Sequence, residues 1–544
     1  MVNQPSPLES RDRLVAVTLA ALVLLAGRAR MAPNVCGVYH DDAIYVSTAE
    51  ALVDGDGYRL TGVPGEPLQT KYPILYPAAL AAICAIWRSF PDNILAMQIF
   101  TLLCGAAVVA LGYLYLVRFG YCGRGVAAAG GVICATGSFF LYFCVQTMPG
   151  LPFALLTISA LWALERHLEH PRTSRWAQVG LGLLLATPFL CRTIGAVFIL
   201  SSVAVLYRSR RPTRWCLAGV ATAALPWILW SMLGRGIWDR NPIDGYYTDY
   251  IGCWSSTGVN MIGRVFCSNA LLVARGSGRF ACEGLAAAVR PLLDPELRTL
   301  ILVSVGSIPW LMMVRPLRQG RALPLGMAAY LLVMLLWSWP PQRFLVPILP
   351  FLTAYLMAGV AAFLRKIADG FGRRLAVTAA LGGLVVANFG LLARHFQITS
   401  ASGYALASVT DTPVAWSSFE RTLAWLKRHT RPEDVVASGL DSMASLYTGR
   451  SAFRPFVYNP GRLFYGHESP HLITVNELAA ILKRSRPRFL MHSPMPGFAE
   501  EKLFDEVLED LRRQYPDWLV VAYKDADPRF VIFELNVKNE PRAI

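Results

Sequence analysis

About eleven apolar runs recur along the chain, beginning near Leu14, Leu95, Val126, Leu151, Trp176, Ile194, Trp215, Leu300, Leu323, Phe344 and Leu375. A hydrocarbon core about 30 Å thick needs ~20 such residues in a helix. Repetition of this kind constrains the fold more than any other feature. In lipid each backbone polar group must be satisfied inside the chain, which apolar runs achieve as helices. Composition agrees, with 54% hydrophobic and 16% charged residues, against about 25% charged in an ordinary soluble domain. The formal charge of +15 does not mark a nucleic-acid face, because the basic residues fall in short bursts between the apolar runs. That distribution reads as topology. The run from Leu14 to Gly27 is followed by Arg28 and Arg30 instead of a small-residue cleavage site, so it reads as an uncleaved first helix.

The basic bursts set the direction. With a cytoplasmic N-terminus the inner loops hold Arg118 and Arg124; Arg166, Arg172 and Arg175; Arg208, Arg210, Arg211 and Arg214; Arg315, Arg318 and Arg321; then Arg365, Lys366, Arg373 and Arg374. The short outer turns hold little beyond Arg192 and Arg343, as the positive-inside rule requires; Arg28 and Arg30 fall on the other side. The expected fold is therefore mainly α: a polytopic membrane domain over residues 1–395, about eleven spans, and an extracytoplasmic C-terminus. Two outer segments are long, 33–93 and 234–298, and the second includes an amphipathic stretch, Asn269 to Leu293, suited to the membrane surface. Over residues 410–544 the pattern changes to a soluble extracytoplasmic α/β domain. Helices are predicted at Val414 to His429, Val475 to Lys483 and Glu500 to Arg513. Strands are predicted at Val435 to Ser438, Phe489 to His492, Leu519 to Tyr523 and Phe530 to Leu535, in a largely parallel sheet. Ser438-Gly439-Leu440 after the first of these strands is too short for a phosphate loop. Cys253, Cys267 and Cys282 share one loop, lack zinc-site spacing and leave one disulfide open.

Chemistry concentrates in the first outer segment, which reads Tyr39-His40-Asp41-Asp42-Ala43-Ile44-Tyr45 and then Gln69-Thr70-Lys71-Tyr72-Pro73. Adjacent carboxylates beside a membrane need solvent, a partner or a metal. They fit either a helix N-cap or a catalytic role. Lys71, beside Tyr72, fits either a lysine snorkelling to the interface or one pairing with a lipid phosphate. Arg192 and Arg343 stand on the same outer face. Three cations and an acidic pair together suit an anionic headgroup, and equally suit mutual neutralisation.

These residues resemble the GT-C superfamily of polyprenyl-phosphate-sugar glycosyltransferases, especially bacterial relatives of protein O-mannosyltransferases and of the lipid A aminoarabinose transferase. The resemblance spans roughly residues 10–395. It rests on the acidic pair after the first span, Thr70-Lys71-Tyr72-Pro73 with Tyr76-Pro77, Arg192-Thr193-Ile194-Gly195, and Gln342-Arg343-Phe344 before Pro347 and Pro350. It implies Asp41 as catalytic base and Lys71 on the phosphate of the lipid carrier; from their shared outer face, Arg192 or Arg343 would assist Lys71, and Asp42 or His40 would orient Asp41 or the acceptor. His40, Tyr45 and Tyr72 would support them. Where the aminoarabinose transferase has an acidic residue before the lysine this chain has Thr70, and where members often have one at the fourth span it has Gly150. A divalent metal ion as cofactor is left open by these replacements.

The implied activity is transfer of a sugar from a polyprenyl-phosphate carrier to a lipid, glycan or protein acceptor outside the cytoplasm, at the inner (plasma) membrane. Inversion would follow from a single displacement, since no second carboxyl for a covalent route is evident. The alternative is a transporter or flippase of lipid-linked sugars using the same headgroup contacts without a base. Internal repeats and acids deep in the spans, which would favour transport, are not evident.

Overall fold

The computed structural model describes residues 7–171, 174–211, 213–235, 246–249, 258–367, 370–404, 414–456, 459–466 and 472–536. Each apolar run begins inside an α-helix or the 3₁₀ turn leading into one. Their lengths differ. Asn93–Arg118, Arg214–Gly234, Pro295–Arg318, Gln342–Lys366 and Gly370–Ser402 are long and apolar enough to cross a membrane. Arg124–Thr136 and Ser138–Cys144 form a sixth candidate bent by 67°, broken where Gly137 takes an extended backbone. Thr193–Arg208 and Ala322–Leu335 are shorter apolar helices. The expected count of about eleven thus becomes five or six full-length candidates among the described residues, with shorter helices filling the bundle.

Small residues allow the helices to approach. Arg175–Cys191 packs on Arg214–Arg235, and Ile262–Ala281 on Pro295–Arg318. A Cβ added to Gly182, Gly219, Gly278 or Gly306 would overlap backbone atoms of the facing helix. Close backbone contact through such residues replaces the hydrophobic driving force that lipid removes. The amphipathic stretch expected at the membrane surface is instead tied into the bundle. Within Ile262–Ala281, buried Asn269 donates to the carbonyls of Met334 at 3.1 Å and Trp337 at 2.8 Å, satisfying the open end of Ala322–Leu335.

Residues 414–536 alternate helices with β1 (Val436–Ser438), β2 (Ala452–Phe453), β3 (Phe489–His492), β4 (Leu519–Lys524) and β5 (Val531–Leu535). The sheet order is β2-β1-β3-β5-β4. β1 runs parallel to β2 and β3, while β5 is antiparallel to β3 and β4, so the sheet is mixed and not largely parallel. The short connection from Lys524 to Val531 permits only a hairpin, since a parallel return needs a long crossover.

This segment rests directly on the first outer segment. Its Asp441–Thr448 helix packs on the Asp41–Asp54 helix. The Tyr447 hydroxyl donates to the Asn34 carbonyl at 2.7 Å and accepts from the Cys36 N–H at 3.1 Å. Ala452 N–H donates to the Gly62 carbonyl at 2.8 Å. Cys267 and Cys282 are free thiols; Cys253 lies outside the described residues.

The crossings give a stability test. Gly278→Val forces apart two packed helices, and overpacking of this kind costs about 1–3 kcal/mol. Gly180→Ala, which adds a Cβ into open space, serves as its control. The expected result is a lower thermal unfolding midpoint in detergent for Gly278→Val alone; equal midpoints would contradict the close crossing.

Candidate active site

The acidic pair opens the Asp41–Asp54 helix, and its two carboxyls diverge. Asp42 turns back into the protein, accepting from the N–H groups of Gly37 at 2.7 Å and Tyr39 at 3.1 Å. Burial pushes its carboxyl up to about 6, against these backbone donors. Asp42 therefore closes the turn ahead of the helix and does not line the cavity that Asp41 faces. The turn itself is unusual. His40 sits at φ 65°, ψ −57°, and the Asp41 N–H donates to the Tyr39 carbonyl at 2.7 Å. A γ-turn with positive central φ is rare and strained for a residue bearing a Cβ.

Asp41 lines a cavity of about 700 Å³. Its Oδ1 accepts from the Tyr72 hydroxyl at 2.7 Å, and its Oδ2 lies 3.2 Å from Nη2 of Arg343. Burial acts to raise its pKa; Arg343, Lys71, His40 and the Tyr72 hydroxyl outweigh that and hold it below the ordinary carboxylate value. The site thus keeps a negative charge away from bulk water by surrounding it with cations and a donor.

Lys71 and Tyr72 are set by Gln69, whose Oε1 accepts from both of their N–H groups at 3.0 and 3.1 Å. The ammonium of Lys71 donates to the Tyr246 carbonyl at 2.9 Å and lies 4.6 Å from the centroid of that ring. Arg192 follows the Arg175–Cys191 helix in an extended conformation. Its guanidinium lies 5.0 Å from the Phe344 centroid, and that of Arg343 lies 5.2 Å from the same ring. Tyr45 packs against Tyr72 with centroids 4.9 Å apart. His40, Asp41, Tyr45, Lys71, Tyr72, Arg192 and Arg343 all line this one cavity; apolar side chains such as Ile194, Val197 and Val333 line it too.

Sequence reasoning missed the residues brought in from distant segments. Nε2 of His40 lies 3.0 Å from Oδ1 of buried Asp441, which stands just past the Ser438-Gly439-Leu440 stretch. The second oxygen of Asp441 accepts from the Tyr247 hydroxyl at 2.5 Å. Buried Arg454 places Nε 3.6 Å from Asp441 Oδ1 and donates through Nη1 to the Tyr246 hydroxyl at 3.1 Å. Arg454 and Glu500 also line the cavity. No local spacing connects these residues to Asp41.

The donor set does not fit a divalent ion beside Asp41. Both its oxygens are engaged by Tyr72 and Arg343. Thr70 donates its hydroxyl to the Thr248 carbonyl at 2.8 Å, and Gly150 brings no side chain to the cavity it lines. Among the described residues no three His, Cys, Asp or Glu side chains converge as a metal site.

Residues 71–232 match the dolichyl-phosphate-mannose-protein mannosyltransferase family. The fold is similar to that of ArnT from Cupriavidus metallidurans, solved bound to undecaprenyl phosphate, at 14% identity and a TM-score of 0.51, covering 96% of this chain and 97% of that one. It is also similar to that of the oligosaccharyltransferase AglB from Archaeoglobus fulgidus, solved with an inhibitory peptide and a dolichol-phosphate, at 10% identity and a TM-score of 0.54, covering 97% and 75%. No curated protein matches the sequence. Together with its long apolar helices, this likeness makes the chain a mainly helical, multi-pass membrane protein.

The electrostatics at Asp41 predict a titration. Arg343→Gln removes the largest of the influences that oppose burial. The Asp41 carboxyl is then expected to titrate at higher pH than in the wild type. Isotope-edited infrared spectra, with Asp41→Asn as reference, measure this; an unchanged or lower titration point would contradict the assignment.

Proposed function

We propose that this protein is a membrane glycosyltransferase that moves a sugar from a polyprenyl-phosphate carrier to an acceptor hydroxyl outside the cytoplasm. The observation that carries the reading is that Asp41, Lys71, Arg192 and Arg343 share a cavity with apolar lining. This combination suits a donor with a charged head and a hydrocarbon tail. The undecaprenyl phosphate and dolichol-phosphate of the two similar structures belong to that chemical class.

In the proposed reaction Lys71, with Arg192 and Arg343, holds the donor phosphate next to the sugar. Asp41 takes the proton of the acceptor hydroxyl as its oxygen bonds to the anomeric carbon. The bond from that carbon to the phosphate oxygen breaks, and its electron pair leaves with the polyprenyl phosphate. Cations already in place stabilise the charge growing on this leaving group, which is where preorganised electrostatics contribute most. Donor phosphate competes with Asp41 for the Arg343 guanidinium, so donor binding restores basicity to Asp41. Asp42 maintains the turn that presents Asp41. The membrane domain occupies residues 1–395 and the C-terminal α/β domain 410–544. The N-terminus is cytoplasmic, and the cavity and C-terminal domain face the opposite side of the inner membrane.

The test uses purified protein with radiolabelled polyprenyl-phosphate sugars and membrane extracts as acceptors. Positioned proton transfer contributes ~10²–10⁴-fold, and Asp41→Asn is expected to lose transfer on that scale while still binding polyprenyl phosphate. Lys71→Met is expected to weaken that binding. Transfer undiminished in Asp41→Asn would overturn the base assignment, and label that crosses vesicles with no new product would mark a flippase.

A further inference from the structure

We infer that Asp441 is a positioning residue for sugar transfer, holding His40 in the strained turn that aims the Asp41 carboxylate into the cavity. The inference rests on the transferase reading. It assigns to the C-terminal segment a part in the reaction itself.

Asp41 directly follows a residue at φ 65°, a conformation an L side chain adopts only when its surroundings impose it. The His40 side chain makes no capping hydrogen bond to the helix it precedes. Its ring instead reaches across to Asp441, and both side chains are buried, at 3% and 1% exposure. Asp441 is fixed in turn by the Tyr247 hydroxyl and by the Arg454 guanidinium. The Tyr247 hydroxyl also accepts from the Arg454 backbone N–H at 3.0 Å. Rings of Tyr246 and Tyr247 flank His40 at 5.7 and 6.3 Å between centroids.

Stability alone is a poor explanation for such an arrangement. Burying ionisable groups costs desolvation that an apolar replacement of similar volume avoids. What a buried, multiply bonded anchor does well is fix one geometry. Here the geometry belongs to the residue before Asp41, whose Oδ atoms meet Tyr72 and Arg343 across the cavity. The same cluster touches the second charged group of the site: Tyr246, bonded through its hydroxyl to Arg454, supplies the carbonyl that accepts from Lys71.

The experiment compares Asp441→Asn, His40→Gly and His40→Ala with the wild type as full-length chains in detergent. Rates are normalised to sites that bind polyprenyl phosphate. Displacing a catalytic group by about 1 Å can cost ~10²-fold, and Asp441→Asn is expected to lower kcat on that scale with donor KM little changed. His40→Gly, which tolerates positive φ, is expected to retain more activity than His40→Ala. A merely structural contact would lower the unfolding midpoint and leave kcat per binding site unchanged, which would overturn the inference. A second readout needs no turnover. The isotope-edited infrared band of the Asp41 carboxylate is expected to shift in Asp441→Asn; an unmoved band would also overturn the inference. Wild-type protein that moves no sugar would count against the transferase reading, and the infrared result would still decide whether Asp441 controls Asp41.

Discussion

A carboxylate withdrawn from bulk water must either take up a proton or be surrounded by positive charge and hydrogen-bond donors. Asp41 does the second, and the architecture of the outer face follows from that need. Arg343 comes from the turn before the Leu349–Ile367 helix, Lys71 and Tyr72 from the first outer segment, and His40 from the turn beside it. The bundle brings these segments together, and the cavity they enclose is lined by Lys71, Arg192, Arg343 and Arg454 against the two carboxylates of Asp41 and Glu500. That surplus is what a phosphate headgroup would match.

The second dependence runs between segments far apart in sequence. The Asp441–Thr448 helix packs on the Asp41–Asp54 helix, and Tyr447 engages the backbone at Asn34 and Cys36. A loop carrying a reactive group needs a rigid support, because irregular backbone at the surface is otherwise mobile and poorly placed. Here the support comes from residues 414–536, joined to the turn through His40 and Asp441. In the proposed mechanism this makes the C-terminal segment part of the catalytic scaffold.

Much of the site was legible because its chemistry breaks the local pattern: a carboxylate pair after an apolar run, and lone cations at short outer turns. The separate fates of Asp41 and Asp42 were not legible. Neighbours on a helix point about 100° apart, so one carboxylate reaches the cavity and the other closes the preceding turn. Asp441 lies 401 positions from its His40 partner, a distance no spacing rule bridges. Helix length was not legible either. A 14-residue apolar helix such as Ala322–Leu335 has the composition of a span, yet at about 1.5 Å per residue it is shorter than a hydrocarbon core of about 30 Å. The C-terminal elements were well marked by period, yet strand direction is not written in that period, and the β4–β5 hairpin made the sheet mixed.

A single displacement at the anomeric carbon with Asp41 as base is tested most plainly by product stereochemistry. Proton NMR of the first product formed from a polyprenyl-phosphate sugar of known anomeric configuration distinguishes the outcomes. The opposite configuration is expected in the product. Retention would require a covalent intermediate or a second catalytic carboxyl, and would contradict the mechanism.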